Sequence, residues 1–442
     1  MRVRVGTLCS GYDSQCLAME RLKRNFPDFD YELVFWSEFD PESKRPLDKQ
    51  PAVIAHNALF PQWADRNVGD MTKADWSKIG EIDLLTYSTP CTDISNAGRQ
   101  AGAEKDSGTR SSIIWHTEKA IRTLRPKYLL MENVANFVSK AHIGTFKAWM
   151  ALVESLGYNN FAKVLNATEF GCPQNRERIF VVSIRKDIAD KFYFPQPIKL
   201  EKRFKDVLES NVDEKYYLSD KLVESLSRDN KGFKAMKPST PPHTGVASCL
   251  TARMHKMGRS DNYIMETNIP ICLNSKVDGK QPSLQDRVYS VDGVSTAITT
   301  CFLPNIAEPQ VMQVGNIVDD TNIGFKNPQR GRIYSADGLS PALNCCKGGG
   351  LEPKIVEGEI TSNNLLELVQ AGLVRIRKIT PREAFRLMDI EEEYIDILMS
   401  CGVANTGMYQ LAGNSIVVGC LYHIFRKMFC EVENENDQLT LF

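Results

Sequence analysis

Short apolar runs alternate with amphipathic stretches through the first 195 residues. RVRVGTL (2–8), YELVFW (31–36), IDLLTY (82–87), KYLLM (127–131) and RIFVVSI (178–184) read as strands. Between them, DSQCLAMERLKRNF and SIIWHTEKAIRTL carry apolar residues at helical spacing, the second closed by Pro126. Strands alternating with helices predict an α/β fold built on a doubly wound, mostly parallel sheet. In such sheets ligands sit at the carboxyl ends of the strands.

From about residue 197 the texture changes. Pro, Gly, Ser and Thr dominate, and helical periodicity fades after Leu226. RVYSVDGVSTAITT (287–300) repeats as RIYSADGLSPALNC (332–345), forty-five positions later (332 − 287), with a weaker echo in GVASCLT (245–251). Each copy reads as a strand, a tight Asp-Gly turn and a second strand, which predicts a smaller, β-rich second domain of stacked hairpins. Helical patterning returns in TPREAFRLMDI (380–390) and SIVVGCLYHIFRKMFC (415–430). The expected units are 1–195, 196–377, a segment 378–430 that completes the first, and an acidic tail 431–442.

Composition adds limits. The 442 residues carry 54 Lys and Arg against 55 Asp and Glu, so total charge does not mark a polybasic nucleic-acid binder. Charge is nevertheless uneven. Residues 231–260 hold Lys231, Lys234, Lys237, Arg253, Lys256 and Arg259 with no acid, a local +6 that suits phosphate contacts or, equally, a solvated loop. No apolar run is long enough to span a bilayer, and MRVRVGTLCSG lacks a signal-peptide core. Twelve cysteines without CxxC or metal-type spacing suggest reduced thiols in a cytoplasm, and no metal site.

Candidate chemistry collects at the predicted strand ends. STPCTDISNAG puts Cys91 on a small-residue loop after IDLLTY, where a lowered pKa would make the thiol a nucleophile. LLMENVANF puts Glu132 on the same edge, a proton donor or a helix cap. PQNRERIF sets Arg176 and Arg178 on one strand face, pointing into a cleft or lying on a solvated edge. LCSGYDS places Gly11 in a strand–turn–helix junction, and FWSEFD ends the second strand at Glu38, an acceptor for ribose hydroxyls. The GxGxxG fingerprint is absent, so a nucleoside without pyrophosphate fits better than a dinucleotide.

Taken in order, these segments resemble the DNA (cytosine-5) methyltransferases of bacterial and phage modification type, over nearly the whole chain. TLCSGYDS resembles the cofactor glycine motif, SEFD the ribose motif and GDMT (69–72) the adenine motif. PCTDIS resembles the proline-cysteine loop, ENV (132–134) the glutamate motif and PQNRERIF the arginine motif. ITPRE (379–383) and QLAGNSIVV (410–418) resemble the two motifs after the variable recognition region. The resemblance implies S-adenosylmethionine held around Cys9, Gly11, Glu38, Phe39, Asp70, Asn414 and Ser415. It implies that Cys91 adds to C6 of a flipped-out cytosine, that Glu132 protonates N3, and that Arg178 contacts the base edge with Arg176 in support. Residues 196–377 would then read double-stranded DNA. Three departures stand out: Cys9 where phenylalanine is usual, Asp13 for a second glycine, and Thr92 for a frequent glutamine.

Two other readings stay open: a transfer-RNA cytosine methyltransferase, against which the long repeat region weighs, and a catalytically idle DNA-binding protein, against which Cys91 weighs. The absence of long extra N-terminal regions favours a bacterial or phage enzyme, expected to be monomeric. The final QLTLF resembles the short peptide by which bacterial proteins dock on the polymerase sliding clamp, through Gln438, Leu439, Leu441 and Phe442.

Overall fold

The computed structural model describes residues 1–89, 110–188, 191–202, 204–216 and 380–431, with seven short strands between 288 and 378. The first part runs β1 (Arg2–Leu8), α1 (Ser14–Asn25), β2 (Asp30–Ser37), α2 (Pro51–Leu59), β3 (Leu84–Tyr87), α3 (Thr117–Leu124), β4 (Tyr128–Val134), α4 (Ile143–Ser155), β5 (Tyr158–Asn166), β6 (Gln174–Asn175) and β7 (Glu177–Arg185). Six strands form one sheet in the order β2-β1-β3-β4-β7-β5. The pairs β1–β2, β1–β3 and β3–β4 are parallel, whereas β7 runs against both β4 and β5. All five predicted strands are present. The sheet is mixed rather than wholly parallel.

Both faces are covered, because successive strand residues point to opposite sides. Leu130, Phe180 and Val182 enter one core with Leu17 and Leu22 of α1, while Leu129, Met131, Ile179 and Val181 enter another with Ile121 of α3 and Trp149 of α4. Gly6 is a packing requirement: a Cβ there would stand 2.3 Å from the Phe35 ring. The β1–β2 register shifts at that point.

After β7 the chain does not leave this body at residue 195. Phe192 and Val207 are buried in the first core, so the unit continues to about residue 216. Those residues have neither strand nor helix periodicity, which is why composition alone suggested an earlier boundary.

Between 288 and 378 lie β8 (Val288–Tyr289), β9 (Asn305–Ile306), β10 (Gln313–Asn316), β11 (Arg332–Tyr334), β12 (Ser340–Pro341), β13 (Lys354–Glu357) and β14 (Arg375–Lys378). β10-β11-β13-β14 make a second sheet. The expected hairpins are not what these strands form. In the second repeat, β11 pairs with β10 and β13, and β12 pairs with β6 of the first body, with Ser340 opposite Gln174. In the first repeat, β8 pairs in parallel with β9. In the second repeat, β11 and β12, which flank the Asp-Gly dipeptide, pair with different partners rather than with each other.

The chain returns as α5 (Pro381–Arg386), α6 (Glu392–Ser400), α7 (Asn405–Asn414) and α8 (Val418–Phe429). Phe385, Leu398, Met408, Leu421 and Phe425 are buried in the core that α1 covers. The points of departure and return are tied together. Glu209 donates its backbone N–H to Glu383 Oε1 at 2.8 Å and accepts at its carboxylate from the Thr380 hydroxyl. Glu383 Oε2 in turn takes the Thr380 N–H at 2.8 Å, closing a capping box on α5.

Candidate active site

The carboxyl ends of β1, β2, β3 and β4 bring the predicted residues to one edge. At the end of β1, Cys9, Gly11 and Asp13 all have positive φ, at 52°, 60° and 69°. That alternation folds the chain into a tight turn before α1, and Asp13 caps the helix by accepting from Cys16 N. At Gly11 a Cβ would meet nothing within 4 Å, so the space above this turn is open. Gly11 N donates to Glu38 Oε2 at 2.8 Å, which joins the turn to the residue following β2. Phe39, next in line, is a large apolar side chain left 39% exposed.

The remaining predicted cofactor residues differ in how they are held. Asp70 Oδ1 accepts from Thr72 N and Oγ1 at 3.0 and 2.7 Å, and Oδ2 faces Lys73 at 3.2 Å. Burial raises the Asp70 carboxyl, but the Thr72 and Lys73 contacts prevail and hold it below the usual range. Its carboxylate therefore shapes its own loop. Ser415 takes a hydrogen bond from the Tyr12 hydroxyl, which fastens the C-terminal segment to the glycine turn. Asn414 ends α7 and is exposed.

Cys91 lies outside the described residues, as do Thr92, the basic stretch from Lys231 to Arg259 and the QLTLF tail. The approach to Cys91 is described. Asn133 Nδ2 donates to Thr89 O and Oγ1, both at 3.3 Å, tying the exit of β3 to β4 beside Glu132.

Arg178, opposite Val134 in the antiparallel β4–β7 pair, reaches diagonally to Glu132, with Nε 3.1 Å from Glu132 Oε1. Both are largely buried. Burial pushes the Glu132 carboxyl up, against the opposing pull of Arg178 and then Arg176. The two arginines do not do the same job. Arg178 meets the glutamate, whereas Arg176 is buried and donates through Nη2 to Gly413 O and Ser415 O at 2.9 and 2.8 Å. The alternating spacing predicted one shared face, but the two side chains take different partners, and Arg176 fastens the end of α7. Sequence reasoning missed Tyr12 and Asn133, whose roles depend on partners 403 and 44 positions away.

A model of the C-5 cytosine-specific DNA methylase family matches residues 3–430. The type II methyltransferase M2.ScrFI of Lactococcus lactis subsp. cremoris is 32% identical over 365 residues, covering 83% of this chain and 71% of its own length. The orphan methyltransferase M.Rho11sI of Bacillus phage rho11s is 27% identical, with 99% and 100% covered. Among solved structures, S. pombe Dnmt2 methyltransferase aligns at a TM-score of 0.57 with 15% identity, covering 96% of this chain and 97% of its own. Entamoeba histolytica methyltransferase EhMeth aligns at 0.58 with 13% identity, covering 97% and 98%. At such identity these two establish the shared fold.

Proposed function

From the premise that the chain belongs to the C-5 cytosine-specific DNA methylase family, and so is a DNA cytosine C5 methyltransferase, we propose how its own residues carry the reaction. The observation that supports the reading best is the buried Glu132–Arg178 pair, on a strand end tied by Asn133 to the start of the Cys91 loop. The target cytosine must leave the duplex, at a cost of a few kcal/mol, because C6 is unreachable inside the stack. The Cys91 thiolate adds to C6, forming an S–C bond and sending an electron pair toward N3. Glu132 donates its proton to N3, and burial suits it to hold that proton. Arg178 holds the Glu132 carboxyl in place and lines the base edge. C5 thereby becomes nucleophilic. Loss of its proton to solvent after methylation expels the thiolate, and return of the N3 proton to Glu132 restores the neutral ring.

The residues around Gly11 fit S-adenosylmethionine. An open backbone turn, an acid at the next strand end and the exposed Phe39 ring suit a nucleoside. That cofactor supplies an electrophilic methyl group on a sulfonium. Glu38 would hold the ribose, the Asp70 loop the adenine, and Asn414 the methionine end, with Cys9, Phe39 and Ser415 completing the walls.

Residues 217–379 would read the DNA site, with Lys231, Lys234, Lys237, Arg253, Lys256 and Arg259 on phosphates. Site-specific modification of bacterial or phage DNA is the corresponding role. A duplex carrying 5-fluorocytosine tests the mechanism. The unaltered chain with S-adenosylmethionine should give a denaturation-resistant adduct and Cys91→Ser none; an adduct of equal yield from Cys91→Ser would overturn the assignment.

The QLTLF tail supports a second partner, the bacterial sliding clamp, with Leu439, Leu441 and Phe442 in its apolar cleft and Gln438 making the polar contact. Removing residues 438–442 should abolish capture by immobilised clamp while methylation of short duplexes is unchanged. Undiminished capture would end that proposal.

A further inference from the structure

Asp13 stands at a position where the resemblance leads one to expect glycine, and its backbone shows why. Its φ and ψ of 69° and 61° are left-handed, a region that glycine enters freely and other residues seldom. An aspartate kept there and fully buried is doing something a glycine cannot. Its Oδ2 accepts from the Thr7 hydroxyl at 2.8 Å and its Oδ1 from Cys16 N at 3.3 Å, fixing the turn to both β1 and α1. Oδ2 also lies 3.6 Å from Nε2 of His56, on α2.

His56 supplies an independent observation. It is fully buried, yet neither ring nitrogen has a hydrogen-bond partner among the described residues. A buried imidazole with unsatisfied nitrogens carries a desolvation cost that the rest of the fold must offset. Its ring stacks on Trp36, with centroids 3.6 Å apart and planes 15° from parallel. Trp36 is anchored by its indole N–H to Trp63 O at 2.9 Å and precedes Glu38 by two positions along the same strand end. Asp13, His56 and Trp36 therefore form a buried brace beneath the cofactor turn. Its ends are the residue that closes the Gly11 turn and the strand that presents Glu38.

We infer that Asp13 and His56 are positioning residues that hold the Gly11 turn and the Glu38 strand end at the separation a bound S-adenosylmethionine requires. This rests on the cofactor reading above. A helix cap alone would contribute stability without setting affinity, and the two roles separate by experiment. Tritiated S-adenosylmethionine binding to the full chain without DNA is measured by equilibrium dialysis, beside thermal melting and binding of a short duplex without cofactor. Asp13→Gly and His56→Phe should each weaken cofactor binding about tenfold and raise its KM in parallel, with kcat at saturation and duplex affinity nearly unchanged. Asp13→Asn, which keeps an acceptor for one of Thr7 and Cys16, should lose less. If Asp13→Gly does not fold, Thr7→Val removes one strand of the same brace and should shift affinity in the same direction. Variants that melt earlier but bind the cofactor as tightly as the unaltered chain would overturn the inference. Failure of the unaltered chain to bind would overturn the cofactor reading itself, and the inference with it.

Discussion

Glu132 is pulled two ways: burial favours its protonated form, and Arg178 favours the ionised one. A proton donor needs both influences, since it must hold its proton in the empty site and yield it once charge develops on N3. With its pKa raised, the part of the rate that depends on protonated Glu132 should fall as pH rises through that value, at higher pH than an ordinary glutamic acid would dictate. Glu132→Gln should lower the rate roughly 10²-fold or more and erase that limb of the pH profile, while the chain still binds duplex. A pH-dependent rate surviving in Glu132→Gln would assign the limb elsewhere. This residue was legible because it is a charged side chain at the end of an apolar strand, which carries its own signal. Asn133 and Tyr12 carry none: their importance arises from what they touch across the fold.

At the scale of elements, the site depends on four strands ending level, and the opposite edge of the sheet sets that alignment. Asp83, just before β3, accepts from Arg4 N and Nε at 3.0 and 3.1 Å and from Lys127 at 3.0 Å. It thus ties β1, β3 and β4 at their beginnings. Burial alone would raise its carboxyl, but the bonds from Arg4 and Lys127 outweigh burial and hold it at about 2. A depressed carboxyl contributes stability that is complete above about pH 4 and is lost as pH falls toward 2. Arg4 and Lys127 are well exposed, so solvent screening reduces the contribution to about 1 kcal/mol. Asp83→Asn should lose that amount in urea unfolding at pH 7 and little at pH 2; equal losses at both would show that charge is not involved. The strands themselves were readable as apolar runs. β5 was not, because it is an edge strand with only Tyr158 and Leu165 buried, so YNNFAKVLN lacks a continuous apolar run. α2 was likewise passed over despite Pro51 at its first position, a helix-start signal.

For the whole molecule, the order of segments was readable and their partnerships were not. The return of the chain after residue 380 follows from its helical patterning, but Arg176 reaching Gly413 and Ser415 is a contact between segments more than two hundred residues apart. The repeats misled for a related reason. A strand–turn–strand pattern fixes local direction, while pairing is decided by which neighbour offers a free edge, and β12 finds it on β6. The clasp of Glu209, Thr380 and Glu383 has a consequence for how such a chain tolerates change. Because the core itself holds both ends of the intervening stretch, the closure entropy of that stretch grows only logarithmically with its length, by about 0.6 kcal/mol per doubling. The first body is thus thermodynamically almost indifferent to how long a segment is inserted between residues 216 and 380, which leaves that segment open to evolutionary replacement while the fold around it stays fixed.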